Sequence, residues 1–413
     1  MKYILLIGDG MADDPTQVLG GKTPLETAKK PVMDRLSARG TLGSVRNCPP
    51  ALPAGSDTAI LSIFGCDPMR CYSGRAPLEA AAQGVKLKAG DVAFRCNMAS
   101  LEEGDLPFGE RRILSHSGGG VDGETSRKLA EDLFADPEFR PLAEAAGLRI
   151  YPTESYRHIC VQTRGDARGL VLAPPHEHLT ELCGPNLPCG NENAETLRAL
   201  MEKSFAFLRR HPLNLRRQAE GKLPANCIWF WAEGTAAELP SFPDKYHKTG
   251  AVISAVPLCH GIAALTGLDR ISVPGATGEK DTNYRGKAEY AVRALLEQGY
   301  DFVGIHVEAP DECTHNGDTP GKIGSIEDID SQVLAPLTEA LSGTDYRILI
   351  LSDHKTLTDT RGHAHGYVPF ILYDSREPSG SGLPYTEANG LLGPHVEDGT
   401  ALMDLLFRTG DGA

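Results

Sequence analysis

The chain contains no C-x-x-C pair, no phosphate-loop pattern G-x-x-x-x-G-K-[ST], no internal repeat and no low-complexity tract. The first absence argues against a zinc ribbon or a dithiol redox motif. The second weakens a reading as a nucleotide-dependent kinase. No apolar run approaches the ~18 residues that a membrane-crossing helix needs. Positive charge is in deficit, with 41 Lys and Arg against 55 Asp and Glu, a net charge of −14. A general nucleic-acid or acidic-membrane surface is therefore not expected. A small anionic substrate remains compatible, because a local cluster of metal and Arg or Lys overrides the global sign. The apolar opening Tyr3 to Ile7 is too short for a secretory core and is broken by Gly8-Asp9-Gly10. The ten scattered cysteines are accordingly expected as reduced thiols of a cytoplasmic protein.

Short apolar runs flanked by turn residues occur at Tyr3–Ile7, Ala251–Val256, Phe302–Val307, Arg347–Leu351 and Pro369–Tyr373. Unbroken runs of this length suit strands covered on both faces. Helical patterns lie between them, at Gly286–Gln298 and Lys322–Leu341. In the second, Ile323, Ile326, Ile329, Val333 and Leu337 recur at helical spacing. Alternation of strand and helix predicts an α/β fold with a mostly parallel sheet flanked by helices. The middle differs. Residues 98–125 are rich in Gly, Glu and Ser, 174–188 in Pro and Gly, and 201–221 form a basic helical stretch. We read the middle as an inserted domain: 1–75 and 225–413 form the main domain and 76–224 the insert.

Four segments concentrate chemistry. Asp9 sits between glycines at the end of the first strand, where its carboxylate is exposed or else simply marks a turn. Ser56, in Ala54-Gly55-Ser56-Asp57-Thr58-Ala59, stands near a helix start, where free amides favour an approaching phosphate. The plain alternative is that Ser56 or Asp57 is only an N-cap. Asp311 and His315 are four residues apart, so one helical turn puts them on one face; a surface ion pair would look the same. Asp353-His354 directly follows an apolar strand, and His363 returns from the next loop. Together these segments supply ligands for two divalent ions beside one hydroxyl. Paired metals stabilise the attacking and departing oxygens of a transferred phosphoryl group.

The set resembles the alkaline-phosphatase superfamily, and within it the archaeal-type cofactor-independent phosphoglycerate mutases. The resemblance is carried by Gly8-Asp9-Gly10, Gly20-Gly21-Lys22-Thr23-Pro24-Leu25-Glu26-Thr27-Ala28, Ala54-Gly55-Ser56-Asp57-Thr58-Ala59, Tyr72-Ser73-Gly74-Arg75-Ala76-Pro77-Leu78-Glu79-Ala80, Phe94-Arg95-Cys96-Asn97, Ser155-Tyr156-Arg157-His158, Pro274-Gly275-Ala276-Thr277-Gly278, Glu308-Ala309-Pro310-Asp311-Glu312 and Ser352-Asp353-His354. It implies an alkaline-phosphatase-like α/β fold with an inserted α+β domain that binds and reorients glycerate, domain closure excluding water. Asp311, His315 and His363 would hold one metal, and Asp9, Ser56, Asp353 and His354 the other. Ser56 would be the nucleophile that becomes phosphoserine. Arg75, Arg157 and Lys287 would grip the phosphoglycerate, with His158 and His116 as weaker candidates. Mn²⁺ leads among the ions, with Zn²⁺, Co²⁺ and Mg²⁺ as alternatives. Two departures stand out. Ser115 to Val121 matches the insert phrase loosely, and Lys355-Thr356-Leu357-Thr358 lacks the Thr-Pro often seen after the Asp-His pair. A homoserine kinase, a phosphomonoesterase or a metal-binding scaffold without turnover are the alternative readings. The oligomeric state is not readable from the sequence.

Overall fold

The apolar runs of the first and last parts of the chain become strands of one sheet. In the computed structural model, which describes residues 1–377 and 380–408, the strand order is His395–Val396, Thr41–Val45, Val368–Asp374, Tyr346–Leu351, Lys2–Gly8, Phe302–Val307, Gly250–Ile253 and Asp269–Ile271. Neighbours pair in parallel except for Val368–Asp374, which runs antiparallel to both of its partners. The three central strands are buried almost throughout, which is why they read as continuous apolar runs rather than alternating ones. On one face Ile4, Leu6, Val303, Ile305, Ile348 and Ile350 pack under helices that supply Ala291, Ile326, Val333 and Leu337. On the other, the Phe302 ring meets those of Phe242, Phe407 and Phe64 at centroid distances of 5.0, 5.8 and 6.3 Å.

The chain forms two units, Met1–Tyr72 with Glu238–Ala413, and Ser73–Ala237. The expected insert of 76–224 is therefore too short. The apolar run Cys227–Thr235 looks like another strand of the main sheet, but it pairs antiparallel with Val92–Leu101 of the second unit. That second unit is α+β. Val92–Leu101 lies at its centre, flanked by Cys227–Thr235 on one side and Arg157–Gln162 on the other, with Leu148–Tyr151 beyond. Its core buries Phe94, Trp229 and Phe230 together with Leu197, Met201 and Phe205 of the helix Glu192–Leu208.

Two helical expectations change in detail. The basic stretch 201–221 is not one helix. The chain breaks at His211, whose ring accepts from the Leu213 amide, and restarts at Pro212 as Pro212–Ala219. The stretch 322–341 is helical throughout but opens into a π-helical turn at Ile329–Leu334, between Thr319–Asp328 and Ala335–Ala340. Pro336 has no N–H to return to the preceding turn, and a widened turn relieves that mismatch. The same turn aims the buried Asp330 at the start of the helix Pro31–Arg39, where its oxygens accept from the amides of Val32 (3.1 Å) and Met33 (2.7 Å).

A buried ion pair ties this helical layer to the sheet edge that carries the candidate site. Lys322 is fully buried, and its ammonium lies 2.8 Å from Asp13 Oδ2 and 2.6 Å from the carbonyl of Thr356. Asp13 also accepts from the amide and hydroxyl of Thr358. Removing one member of such a pair strands the other in a low dielectric. Lys322→Met is expected to lower the unfolding free energy by about 3 kcal/mol or more, read from urea unfolding followed by circular dichroism; a loss within ~0.5 kcal/mol, as for an ordinary surface change, counts against this account.

Candidate active site

Strand register brings the functional residues together before any side chain is considered. Ile7 pairs with Leu351 on one side and with His306 on the other. Asp9, Asp353 and Glu308 each follow two residues later, so they leave the sheet at one level. The carboxyl ends of parallel strands are where open α/β sheets place their sites. Asp9 is fully buried there. Gly10 adopts φ +60°, and its N–H donates to Asp353 Oδ1 at 3.1 Å. A Cβ at Gly10 would sit 2.5 Å from Thr356 Oγ1 and 2.7 Å from Asp311 Oδ1, so any side chain would push these groups apart.

Ser56 is the first residue of the helix Ser56–Ile63, after a Gly55 cap that makes no side-chain hydrogen bond. Its hydroxyl therefore does not cap the helix. Instead Oγ lies 3.2 Å from Asp9 Oδ2 and 3.1 Å from His354 Nε2. Asp57 faces elsewhere and accepts from the Thr58 amide and the Tyr72 hydroxyl.

The sequence candidates fall into two groups. Asp311 and His315 share one face of the helix Ala309–His315, with His315 Nε2 3.1 Å from Asp311 Oδ2. His363 reaches the same carboxylate from the hairpin Lys355–Leu357/Gly362–Ala364, its Nε2 3.4 Å from Asp311 Oδ1 and 3.0 Å from His315 Nε2. Each ring's Nδ1 faces a main-chain carbonyl, of Arg361 for His315 and of Ala54 for His363. A carbonyl only accepts, so both Nδ1 atoms carry hydrogen and both Nε2 atoms aim at one point. Hydrogen bonding to Asp311 draws a proton onto His315 and raises it to about 9. Burial would push Asp311 up, but hydrogen bonds from His315 and His363 outweigh this and hold it well below the usual carboxylate range. A divalent ion among these atoms would take the place of the shared proton.

Asp9, Asp353, His354 and Ser56 form the second group. His354 Nε2 is 3.4 Å from Asp9 Oδ1 and 3.3 Å from Asp353 Oδ2. Burial first, and then the carboxylates of Asp353 and Glu308, push Asp9 well above its ordinary range. Asp353 Oδ2 is buried and accepts no hydrogen bond. A bare carboxylate oxygen beside a second carboxylate is costly without a cation. Both groups thus fit divalent metal, and oxygen-rich sets with imidazole suit first-row ions.

His306 and Glu308 were not singled out from the sequence. His306 Nε2 lies 2.9 Å from Asp9 Oδ2, and its Nδ1 is 3.2 Å from Ser254 Oγ. Burial, then the nearby Lys287 charge, pushes His306 down to about 3, so the ring is neutral and donates to Asp9. The only sequence signal is a histidine inside an otherwise apolar strand. Lys287, expected to grip substrate, is buried and donates instead to the His306 carbonyl at 2.8 Å. Burial lowers its ammonium to about 8.

Arg75 and Arg157 lie in the second unit with Arg95. Arg95 and Arg75 both pair with the buried Glu79, while Arg157 bonds Asn97 and Tyr156 at 3.4 and 3.1 Å. Arg95 and Arg157 lie over the Trp231 ring at 4.6 and 5.2 Å. All three guanidiniums act on the one Glu79 carboxyl. His116 is half-buried, its ring 5.7 Å from that of Tyr156. His158 is a core residue: Nδ1 accepts from the Thr153 amide and Nε2 donates to Ser126, so it is not free for substrate.

A mostly parallel α/β sheet with carboxylates and imidazoles grouped at its carboxyl edge defines an enzyme with candidate divalent-metal sites. A family model described as 2,3-bisphosphoglycerate-independent phosphoglycerate mutase matches residues 37–214. A probable mutase of that description from Geobacter sulfurreducens is 42% identical, covering 98% of this chain and all of the relative. One from Methanosarcina barkeri is 44% identical over 90% of each chain. The solved cofactor-independent phosphoglycerate mutase of Thermoplasma acidophilum superposes with a TM-score of 0.64 at 26% identity, covering 98% of this chain and 99% of its own. The chain belongs to the 2,3-bisphosphoglycerate-independent phosphoglycerate mutase family, and so to the isomerases. Among the described residues no helix is long and apolar enough to cross a membrane.

Glu79 gives a pH test of the guanidinium cluster. Burial would raise its carboxyl, but Arg95, then Arg75 and Arg157, bring it down from 4.5 to about 2. Between these values the unfolded chain binds the proton that the folded one refuses, so stability is lost as pH falls through this window. Glu79→Gln should destabilise the protein at pH 7 and flatten the loss of stability between pH 4.5 and 2, measured by thermal unfolding.

Proposed function

We propose that this chain interconverts 3-phosphoglycerate and 2-phosphoglycerate through a phosphoserine at Ser56, as a step of glycolysis and gluconeogenesis in the cytoplasm. The observation that carries the reading is the Ser56 hydroxyl. It stands at a helix N-terminus without capping it and is turned toward Asp9 and His354. Free amides of the first helical turn favour the phosphate that must approach it.

Asp311, His315 and His363 would hold one divalent ion, and Asp9, Ser56, Asp353 and His354 the second, with Mn²⁺ as the proposed metal. Such a pair supplies positive charge at the attacking and departing oxygens and lowers the pKa of a bound hydroxyl. In the first half-reaction Ser56 Oγ attacks phosphorus, the bond from phosphorus to the glycerate 3-oxygen breaks, and that oxygen takes up a proton. The proton on Ser56 has an acceptor at hand in Asp9 Oδ2, 3.2 Å away. In the second half the glycerate 2-hydroxyl attacks the phosphoserine, loses its proton, and Ser56 recovers its own. Neither nucleotide nor free phosphate enters the balance. Arg75 and Arg157, with Arg95, supply guanidiniums suited to the carboxylate and phosphate of the substrate. His306 donates to Asp9 and holds its carboxylate in place.

Ser56→Ala is expected to lower the conversion of 3-phosphoglycerate, assayed without bisphosphoglycerate, by about 10⁴-fold or more, while Mn²⁺ still binds. A chelator should abolish the wild-type rate and added Mn²⁺ restore it. Survival of the activity in Ser56→Ala would rule the mechanism out; steady release of phosphate, or a requirement for nucleotide, would move the protein to a different phosphotransfer reaction.

A further inference from the structure

We propose that Thr356 is a positioning residue that joins the two candidate ligand groups and fixes which ring nitrogen of His354 carries the proton, an assignment that rests on reading those groups as metal ligands. Thr356 is fully buried. Its hydroxyl lies 2.5 Å from Asp311 Oδ1, in one group, and 3.2 Å from His354 Nδ1, in the other. In the hairpin it also stands directly across from His363. One side chain thus touches or faces a member of each group.

A hydroxyl has one hydrogen and two lone pairs. The carboxylate of Asp311 can only accept, and it is the nearer neighbour, so the hydrogen points there. The His354 Nδ1 then meets a lone pair of Thr356 Oγ1 and must carry the ring hydrogen itself. In a neutral imidazole the other nitrogen is left bare. That atom is Nε2, 3.1 Å from Ser56 Oγ and 3.4 Å from Asp9 Oδ1. The tautomer so selected presents its lone pair where a cation would be held, which is how neighbours of metal-bound imidazoles commonly act.

Thr356 is itself held at both its main-chain groups. Its amide donates to the Ala12 carbonyl at 3.1 Å, and its carbonyl accepts from the Lys322 ammonium at 2.6 Å. The space that its hydroxyl occupies exists because Gly10 has no Cβ, which would come within 2.5 Å. The buried Lys322–Asp13 pair thereby acts on the site through the main chain of Thr356.

The test uses the full chain freed of metal. Thr356→Val keeps the shape and removes the hydroxyl; Thr356→Ser keeps the hydroxyl. Titration calorimetry with Mn²⁺ should show both ions bound about 10–100-fold more weakly in Thr356→Val, with tight binding recovered in Thr356→Ser. In parallel, spectra of ¹⁵N-histidine-labelled protein, with the His354 signal identified by its loss in His354→Gln, should show wild-type His354 protonated on Nδ1 and that preference lost in Thr356→Val. Wild-type affinity for both ions in Thr356→Val overturns the proposal. So does a wild-type His354 protonated on Nε2, a measurement that stands even where Thr356→Val fails to fold. The mutase reading is tested apart, by the activity of Ser56→Ala on 3-phosphoglycerate, a readout that neither the Mn²⁺ titration nor the histidine spectra of the Thr356 variants uses; a wild-type chain that binds no Mn²⁺ sinks the ligand assignment on which this proposal depends.

Discussion

Three carboxylates, of Asp9, Asp311 and Asp353, are buried together where neighbouring parallel strands end, and much of the surrounding structure can be understood as the means of holding them there. Like charges in a low dielectric repel strongly. The register of the strands Lys2–Gly8, Phe302–Val307 and Tyr346–Leu351 leaves no freedom to separate Asp9 from Asp353, because each follows a paired residue by the same two steps. Without a cation the conflict is resolved by protons: Asp9 is driven up by burial and by its neighbours, and His315 is drawn up by Asp311. Divalent ions would resolve it more completely, since they would also satisfy the buried Asp353 oxygen that accepts no hydrogen bond. The geometry is therefore one in which metal binding and local stability are the same free energy.

Much of this was readable from residue order because the central strands are covered on both faces. Continuous burial leaves continuous apolar runs, and those runs located four of the five strands nearly to the residue. The fifth, expected over 251–256, stops at Ile253 because the chain must turn into a helix that begins at Pro257. The same signal misled at the edge of the insert. Cys227–Thr235 is as apolar as a strand of the main sheet, and nothing local says that its partner is Val92–Leu101, more than a hundred residues earlier. Pairing partners are set by tertiary packing, which a single run of residues does not encode.

The candidate site divides in the same way. Asp9, Ser56, Asp311, Asp353 and His354 sit in turns or at helix starts, His315 ends a short helix and His363 lies in a short hairpin, where polar residues stand out against their surroundings, and the structure brings all seven to the end of one sheet. His306 did not stand out because it lies within a strand and acts sideways on Asp9 rather than outward. Lys287 stood out only through the resemblance. The resemblance offers it as a cation for the substrate, yet its stem is buried and its ammonium donates to a main-chain carbonyl. Thr356 drew notice only as a departure from a familiar phrase; its single hydroxyl acquires meaning from what faces it in space. Residues that orient others are the hardest to read in sequence, since their partners come from distant segments.

The charge distribution carries one more step. A chain of net charge −14 repels an anionic substrate at long range, although that repulsion is screened beyond a Debye length of about 8 Å at physiological ionic strength. Attraction must therefore be local, and local attraction is strongest where water is excluded. The protein meets this requirement with few cations in sheltered places. In one unit they would be divalent ions among buried carboxylates. In the other they are guanidiniums, of which Arg95 is nearly buried and stacked on Trp231. The pair that Glu79 forms with Arg95 serves to fix that array. An acidic exterior and local attraction for an anion are thus compatible, because the two potentials act over different distances.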